Sequence, residues 1–165
     1  MRALAPDAPA CDEAGMSAFR SHMDQALAEA KAAALRGEVP VGAVIVAPDG
    51  RVVAAAGNRT RELSDPTAHA EILVIRAAAA ELGSERLGGY DLWGTLEPCP
   101  MCAAAISAAR IGRLYYGADD PRMGGVVHGA RVFDHPQCHH RPQIYDSLNA
   151  PESRAMLQDF FRSRR

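Results

Sequence analysis

Lysine is almost absent from this chain of 165 residues. Lys31 is the only lysine among 18 basic residues, and the net charge at pH 7 is −2. This balance excludes a protein that binds nucleic acid through an overall positive charge. Any contact with nucleic acid must come from a local patch of arginines, whose planar guanidinium groups bind phosphate through two hydrogen bonds.

Long apolar segments are missing as well. No stretch reaches the length of a membrane span without a charge or a helix breaker, and the N-terminus has no apolar run typical of a signal peptide. Cysteine occurs only at Cys11, Cys99, Cys102 and Cys138. We therefore expect a cytoplasmic protein without a membrane partner, in which close cysteines serve metal binding or catalysis and not a disulfide framework.

The length fits one domain, and the content of 48% hydrophobic and 23% charged residues is ordinary for a globular protein. Residues 1–15 are rich in Ala, Pro and Asp and have no periodicity, so they are predicted to form a disordered leader. The predicted domain covers residues 16–165. Met16 and Met23 are alternative start positions that mass spectrometry of the native protein would distinguish.

Hydrophobic periodicity and turn residues predict an α/β fold with a mixed central sheet. Strands that alternate with helices after an initial hairpin indicate a sheet covered by helices on both faces. The predicted order is a helix over 17–36, strands over 41–47 and 51–56, a helix over 68–82, a strand over 91–97, a helix over 98–110, a strand over 111–116, an irregular segment over 119–142 and a helix over 152–161.

Two short motifs carry the chemistry. Cys99 and Cys102 are three residues apart at the start of a predicted helix, so their sulfurs share one helix face and suit one tetrahedral metal. The helix N-terminus favours their thiolate forms. His69 is the third candidate ligand. Three protein ligands leave a position for water, which is the pattern of a catalytic zinc, and zinc makes hydroxide available near neutral pH.

Glu71 is the candidate proton shuttle. It would take a proton from water, pass it to a ring nitrogen and then protonate a departing amine, so that an exocyclic amine becomes a carbonyl and ammonia is released. Residues two apart on a regular helix point about 200° apart. His69 and Glu71 can therefore reach one site only if the backbone at His69 is not yet helical.

Other interpretations of these motifs are weaker. A Cys-x-x-Cys pair is also typical of thioredoxin-like redox proteins and of half a zinc ribbon. No second such pair exists to complete a ribbon, and the His-Ala-Glu motif about thirty residues upstream disfavours the redox interpretation. A lone histidine is more often structural, but the joint pattern of His69, Cys99 and Cys102 disfavours that interpretation too.

The combination of His-x-Glu with Pro-Cys-x-x-Cys resembles the cytidine deaminase superfamily of zinc deaminases. The segments 38–44, 65–72, 95–99 and 159–165 resemble more specifically the bacterial tRNA-specific adenosine deaminases, and the resemblance extends over nearly the whole chain from about residue 17. It implies a three-layer α/β/α cytidine deaminase-like fold and one Zn²⁺ per subunit. It also implies a homodimer that converts adenosine to inosine at the wobble position of an arginine tRNA anticodon stem-loop.

The resemblance further implies substrate contacts from Asn58, Ala70, Pro98, Phe160 and Arg162. Asn58 matches the family asparagine that hydrogen-bonds the target base, although an asparagine after Gly57 is also typical of a turn. Aromatic residues at helical spacing usually pack in a core. Basic residues at a chain end are often only solvated, although they can also bind phosphate.

Three departures from the family pattern are Ala104 in place of a glycine, Arg122 in place of a common lysine, and the segment 123–133. We expect that segment to border the site. Because Pro100-Met101 also occurs in guanine deaminases, deamination of a free base or nucleoside such as guanine or cytosine is the alternative function. A third alternative, an inactive zinc-stabilised RNA-binding subunit, would typically lack the shuttle carboxylate.

A further group, Cys138-His139-His140, has metal-binding residue types but lies in a predicted irregular loop. We expect no second zinc site there. The more plausible role of His140 and Arg141 is to order this loop or to contact RNA.

Overall fold

The computed structural model describes residues 19–164. The predicted leader over residues 1–15 and Cys11 lie outside the described residues. The described chain forms α1 (Met23–Leu35), β1 (Gly42–Val46), β2 (Val52–Gly57), α2 (Ala70–Leu82), β3 (Asp91–Leu96), α3 (Pro100–Ala108), β4 (Arg113–Ala118), β5 (Gln143–Tyr145) and α4 (Ala150–Arg162), with a 3₁₀ turn at Val132–Asp134.

The five strands form one mixed sheet in the order β2-β1-β3-β4-β5. β1 pairs antiparallel with both β2 and β3, whereas β3, β4 and β5 run parallel to one another. Helices α1 and α4 contact each other and one face of the sheet, and α2 and α3 pack together on the other side. The predicted mixed sheet between two helical layers is thus confirmed.

Strand β1 shows why the sheet is covered on both faces. All five of its residues are buried. Because side chains alternate along a strand, Ile45 packs with α2 and α3, and Val44 packs with α1. A strand with two buried faces needs apolar residues at every position, as the sequence Gly-Ala-Val-Ile-Val supplies.

Two glycines allow α1 to approach the sheet closely. A Cβ atom on Gly42 would lie 2.0 Å from the carbonyl oxygen of Ala26, and one on Gly57 would lie 2.4 Å from that of Glu29. Gly42 and Gly57 are cross-strand partners at the end of the β1–β2 hairpin. The helix backbone therefore lies directly on this end of the sheet, where no side chain would fit.

The first helix begins later than the sequence predicted. It starts at Met23, and Phe19, which the periodicity placed on the helix, lies outside it with 67% of its surface exposed. The Phe19 ring instead lies 5.8 Å from Trp93 and 6.0 Å from Tyr115, measured between ring centroids. Phe19 thus lies near sheet aromatics that are distant in sequence, which helical periodicity does not reveal.

The third helix also begins later, at Pro100 and not at Pro98. A residue that precedes proline avoids the helical region because of a clash with the proline ring. Cys99 precedes Pro100 and is extended, with ψ of 170°. Pro100 then occupies the first turn, where a missing N–H costs little.

The segment 119–142 is irregular as predicted, apart from the 3₁₀ turn, but the strand β5 that follows it was missed. β5 has only three residues, which is too short for a periodicity signal. His140 orders the preceding loop, because its Nε2 lies 2.6 Å from the carbonyl oxygen of Ile111 and its own carbonyl accepts a hydrogen bond from Ser107.

Among residues 19–164, no helix is long and apolar enough to cross a membrane.

Glu38 is a buried carboxylate between α1 and β1, with only 1% of its surface exposed. It accepts hydrogen bonds from the backbone N–H groups of Arg61 and Glu62 and from the hydroxyl of Thr60. Burial alone would raise the pKa of Glu38, but these hydrogen bonds to its ionised form outweigh burial and lower that pKa below its ordinary value. The ionised carboxylate thus fixes the turn that follows β2.

Because its pKa is lowered by folding, Glu38 stabilises the protein above its unfolded pKa, and this contribution is lost as pH falls through the folded value. We expect Glu38→Gln to lower the free energy of unfolding by about 1–3 kcal/mol at pH 7. The deficit should shrink as pH falls below about 4. Urea unfolding of Glu38→Gln and of the wild type at pH 7 and below about pH 4 measures this difference in the free energy of unfolding. Glu85→Gln, at an exposed position, is the control and should change stability by less than about 0.5 kcal/mol. Equal stability of Glu38→Gln and the wild type at pH 7 would contradict the interpretation.

Candidate active site

Most of the predicted site residues converge at one edge of the sheet, and Phe160 and Arg162 do not. Strands β2 and β3 end there, at Gly57 and Leu96, and β1 begins there. Helices α2 and α3 begin at the same edge, so the positive ends of their helix dipoles face the site. Such an edge attracts anionic ligands and thiolates.

His69 is delivered by a tight turn. The Asp65 carboxylate accepts hydrogen bonds from both the backbone N–H (2.8 Å) and the hydroxyl (2.7 Å) of Thr67. The chain then reaches His69 in an extended conformation, with ψ of 151°, and helix α2 starts at the next residue. Since His69 is not helical, its side chain and that of Glu71 can share one site despite their spacing of two residues.

His69, Cys99 and Cys102 form a compact cluster. The Nδ1 atom of His69 lies 3.7 Å from the sulfur of Cys99 and 3.6 Å from that of Cys102. All three ligand atoms lie within 4.8 Å of one another, and among residues 19–164 this is the one such group of metal-binding side chains. One nitrogen and two sulfurs at this spacing fit a tetrahedral zinc ion.

The protonation of the two thiols follows from their contacts. A hydrogen bond from Cys102, helped by one from His69 and opposed by burial, lowers the pKa of Cys99 to about 4. Donation of that hydrogen bond, together with burial, raises the pKa of Cys102. The hydrogen bond to Cys99 likewise raises the pKa of His69. A divalent cation would replace the shared proton, because positive charge favours thiolates. The cluster therefore fits Zn²⁺.

Glu71 lies in the first turn of α2 with 3% of its surface exposed. Its Oε2 atom has no hydrogen-bond partner among the described residues. Burial raises the pKa of Glu71, although the nearby His69 acts in the opposite direction. A buried carboxyl group with a raised pKa and a free oxygen next to a metal cluster is equipped to accept and return a proton.

Asn58 and Ala70 are joined by a hydrogen bond. The side-chain oxygen of Asn58 accepts the backbone N–H of Ala70 at 2.9 Å, and Asn58 is 7% exposed. The backbone carbonyl oxygen of Asn58 accepts a separate hydrogen bond from the Arg36 guanidinium. Because the amide oxygen is used by the helix N-terminus, the amide NH₂ group of Asn58 is left to donate to a ligand.

Pro98 is buried beside Cys99, and its carbonyl oxygen accepts the N–H of Gly125 at 2.8 Å. Phe160 and Arg162 are not brought into this cluster. They lie at the end of α4, where Phe160 is half-buried beneath the guanidinium of Arg164 and Arg162 pairs with Asp159 on the surface. A Cβ on Gly37 would lie 3.3 Å from Arg164, so the end of α4 lies beside the end of α1.

Sequence reasoning missed two buried carboxylates that support the site. Glu38 holds the turn after Asn58, and Glu97 holds the segment 120–128 beside the cysteine motif. Glu38 lies in the segment 38–44 and Glu97 in the segment 95–99, both of which carry the family resemblance. The hydrogen-bond partners of these two acids, however, are mostly backbone N–H groups of loops distant in sequence. Every residue type except proline has such a group, so no residue pattern predicts these partners.

Comparisons with known proteins agree with this geometry. The family described as cytidine and deoxycytidylate deaminase zinc-binding region matches residues 16–118. A tRNA-specific adenosine deaminase of Agrobacterium fabrum is 60% identical over 149 residues, which are 90% of this chain and 97% of that protein. A solved structure from a study of A-to-I editing by tRNA:A34 deaminases at the wobble position of transfer RNA is 60% identical, with a TM-score of 0.81 over 84% of this chain and 100% of that one.

A guanine deaminase from Nitrosomonas europaea has a TM-score of 0.72 at 21% identity, over 84% of this chain and 81% of that one, and this likeness shows the fold alone.

The fold and the His-Cys-Cys cluster define a zinc-binding deaminase, and the chain belongs to the cytidine and deoxycytidylate deaminase family. Within that family it falls among the bacterial tRNA-specific adenosine deaminases, so the predicted resemblance is confirmed.

The metal assignment predicts separable effects of cysteine substitutions. We expect Cys102→Ala to lose most of its bound zinc, because it removes a buried ligand of the cluster. We expect Cys138→Ala to keep its zinc, since Cys138 contacts Ser107 and His140 outside the cluster. Elemental analysis of the purified proteins measures this. Chelation should also lower the unfolding temperature of the wild type, because zinc binds the folded state. Equal zinc loss in both variants would contradict the assignment.

Proposed function

We propose that this protein hydrolyses adenosine to inosine at the wobble position of a tRNA anticodon, with an arginine tRNA as its substrate. Adenosine and water give inosine and ammonia. The observation that carries the reaction type is the buried, unpartnered carboxyl oxygen of Glu71 beside the His69, Cys99 and Cys102 cluster. The substrate is supported by the 60% identity to a tRNA-specific adenosine deaminase across nearly its whole length.

The ligand set implies one zinc per subunit, held by His69, Cys99 and Cys102. Bound zinc supplies Lewis acidity, which makes a nucleophilic hydroxide available near neutral pH. Glu71 takes the water proton on its free oxygen and delivers it to the ring nitrogen next to the reacting carbon. It then takes the second proton from the hydroxyl now bonded to that carbon and transfers it to the departing amine, so that the C–N bond breaks and the carbon becomes a carbonyl. The raised pKa of Glu71 suits both proton transfers, because the carboxyl group must hold each proton between taking it up and passing it on.

Asn58 orients the base in this proposal. Its oxygen is occupied by the N–H of Ala70, so its NH₂ group donates to an acceptor on the base. The same hydrogen bond ties the base-binding side chain to Ala70, the residue that directly precedes Glu71 at the start of α2. Recognition of the base and proton transfer thus depend on one helix N-terminus, with Ala70 and Pro98 forming the adjacent backbone.

The arginines near Asn58, which are Arg36, Arg59 and Arg61, outnumber Glu62, the acid that pairs with two of them, and so support a local positive patch in a chain of net charge −2. Arg36 contacts the backbone of Asn58, and Arg61 is exposed on the turn held by Glu38. Arg164 lies beside Gly37 and covers the ring of Phe160. These contacts support a path for the anticodon stem-loop from Asn58 towards Phe160 and Arg162 at the end of α4.

A cytoplasmic homodimer completes the proposal. The outward face of α3 carries the exposed small residues Ala104 and Ala108. It adjoins a mostly apolar cavity of 410 Å³ whose other wall includes Val132 and His135. An apolar surface of this kind supports association with a second copy. Size measurement in solution by light scattering tests this part of the proposal.

The first test is a deamination assay with zinc-loaded protein. An anticodon stem-loop with a wobble adenosine is offered alongside free guanine, cytosine, adenosine and cytidine. We expect inosine in the stem-loop, and we expect Glu71→Gln to lower kcat by about 10²–10⁴-fold while it retains zinc, because proton transfer is lost and the ligands remain. An arginine tRNA with a different wobble base is the substrate control.

Each other outcome decides an alternative. Ammonia from a free base with an untouched stem-loop would contradict the tRNA assignment and leave the zinc chemistry standing. Binding of the stem-loop without turnover of any substrate, unchanged in Glu71→Gln, would favour the inactive RNA-binding subunit.

Substitutions of Asn58 separate its two hydrogen bonds. Asn58→Asp keeps an oxygen for the N–H of Ala70 but removes the donor to the base. We expect it to unfold near the wild-type temperature and to lose about 10–100-fold in kcat/KM for the stem-loop. Asn58→Ala should lose both stability and activity, because the helix N–H is then left without its partner. Full activity of Asn58→Asp would show that the amide group does not donate to the base.

A further inference from the structure

We propose that Glu97 is a positioning residue that fixes the segment 120–128 as a rigid wall of the substrate site, with Val127 and His128 presented to the RNA beside the target base. This inference rests on the proposed function and concerns a residue that touches neither the metal cluster nor the reacting atoms. Glu97 lies between the end of β3 and the cysteine motif, with 2% of its surface exposed.

Both carboxylate oxygens of Glu97 are occupied by donors from this segment. Oε1 accepts the backbone N–H groups of Val126, Val127 and His128 at 3.1, 2.9 and 3.0 Å. Oε2 accepts the N–H of Asp120 at 3.0 Å and lies 2.7 Å from Nδ1 of the His128 ring. One buried side chain therefore gathers both ends of a nine-residue segment.

The donor set requires an ionised carboxylate. A carboxylate is an acceptor only, with about four lone-pair positions. Five donors saturate these positions. A glutamine in its place would turn an NH₂ group towards N–H groups that already donate, and at least one buried pair would be lost. The segment therefore depends on the acid and not merely on the size of the side chain.

Two glycines press the same segment onto the cysteine motif. A Cβ on Gly124 would lie 2.6 Å from the carboxyl carbon of Glu97, and one on Gly125 would lie 2.5 Å from the backbone nitrogen of Pro100 and 2.8 Å from the carbonyl carbon of Cys99. The N–H of Gly125 also donates to Pro98. The segment is thus in backbone contact with the residues that carry a metal ligand, which places it at the edge of the active site.

The side chains of the segment 120–128 differ in their exposure to solvent. Val126 is buried at 4%, whereas its neighbour Val127 is 44% exposed and the side chain of His128 is 36% exposed. Because Nδ1 of His128 is committed to Glu97, Nε2 is the ring nitrogen left for a ligand. An exposed valine and an imidazole on a fixed backbone suit apolar contact with a base or ribose and a hydrogen bond that Nε2 accepts from a ribose hydroxyl or a base N–H group.

Glu97→Gln tests this inference through three readouts. We expect hydrogen exchange at the amides of Val126, Val127 and His128 to become at least tenfold faster while the exchange of β1 amides is unchanged. We expect KM for the anticodon stem-loop to rise about tenfold while kcat stays within about threefold of the wild type. Zinc content should stay at the wild-type value. A merely structural role would lower stability without this division between KM and kcat.

His128→Ala keeps the inference testable if Glu97→Gln fails to fold. It removes one contact to Glu97 and the presented imidazole but leaves the four backbone hydrogen bonds. We expect KM to rise at least threefold with kcat unchanged. Asp91→Asn is the matched control, because Asp91 is a buried acid at the opposite end of β3, paired with Arg113. It should leave KM unchanged.

The outcomes separate this inference from the proposed function. Wild-type turnover of the stem-loop with an unchanged KM in His128→Ala overturns the inference alone. Faster loop exchange in Glu97→Gln with unchanged KM does the same, since the segment would then be no part of the substrate site. If the wild type deaminates only guanine, the proposed function fails. In that case, a KM for guanine equal to the wild-type value in both Glu97→Gln and His128→Ala overturns the inference as well.

Discussion

The active site depends on one backbone constraint, which is that His69 and Cys99 are each extended in the position immediately before a helix. In that position a side chain does not follow the helical rotation. It can point back across the helix N-terminus towards the partner helix. Cys99 is held extended by the proline that follows it, and His69 by the turn at Asp65. The ligand nitrogen and sulfurs therefore meet between two helix N-termini, whose partial positive charge stabilises anionic sulfur.

Two buried acids frame this arrangement from opposite sides. Glu38 fixes the turn after β2 and thereby the approach to Asn58, and Glu97 fixes the segment that packs on the cysteine motif. Each acid satisfies backbone N–H groups of an irregular loop, which would otherwise be buried without partners. The site is consequently surrounded by loops that have no regular secondary structure and yet are tied to the sheet by charge-assisted hydrogen bonds.

Much of this could be predicted from the sequence because the informative signals are local. Short apolar runs of strand length, the turn residues between β1 and β2, and the spacing of Cys99 and Cys102 each specify structure within a few residues. The start of α1 was placed wrongly because Phe19 continues the helical period in the sequence but lies outside the helix, near the rings of Trp93 and Tyr115. β5 was missed because three residues are too few to show a hydrophobic period. The hydrogen-bond partners of Glu38 and Glu97 were missed because they come together only in the folded chain.

The close approach of α1 to Gly42 and Gly57 has a consequence for laboratory evolution of this enzyme. The helix rests on bare backbone at the end of the hairpin that leads into Asn58. A side chain introduced at either glycine would push the helix outward, and the displacement would travel through Arg36 to the carbonyl of Asn58. Directed-evolution libraries that aim to alter the substrate should therefore hold these two positions constant, because variation there would degrade base orientation through the scaffold without sampling any new contact with the substrate.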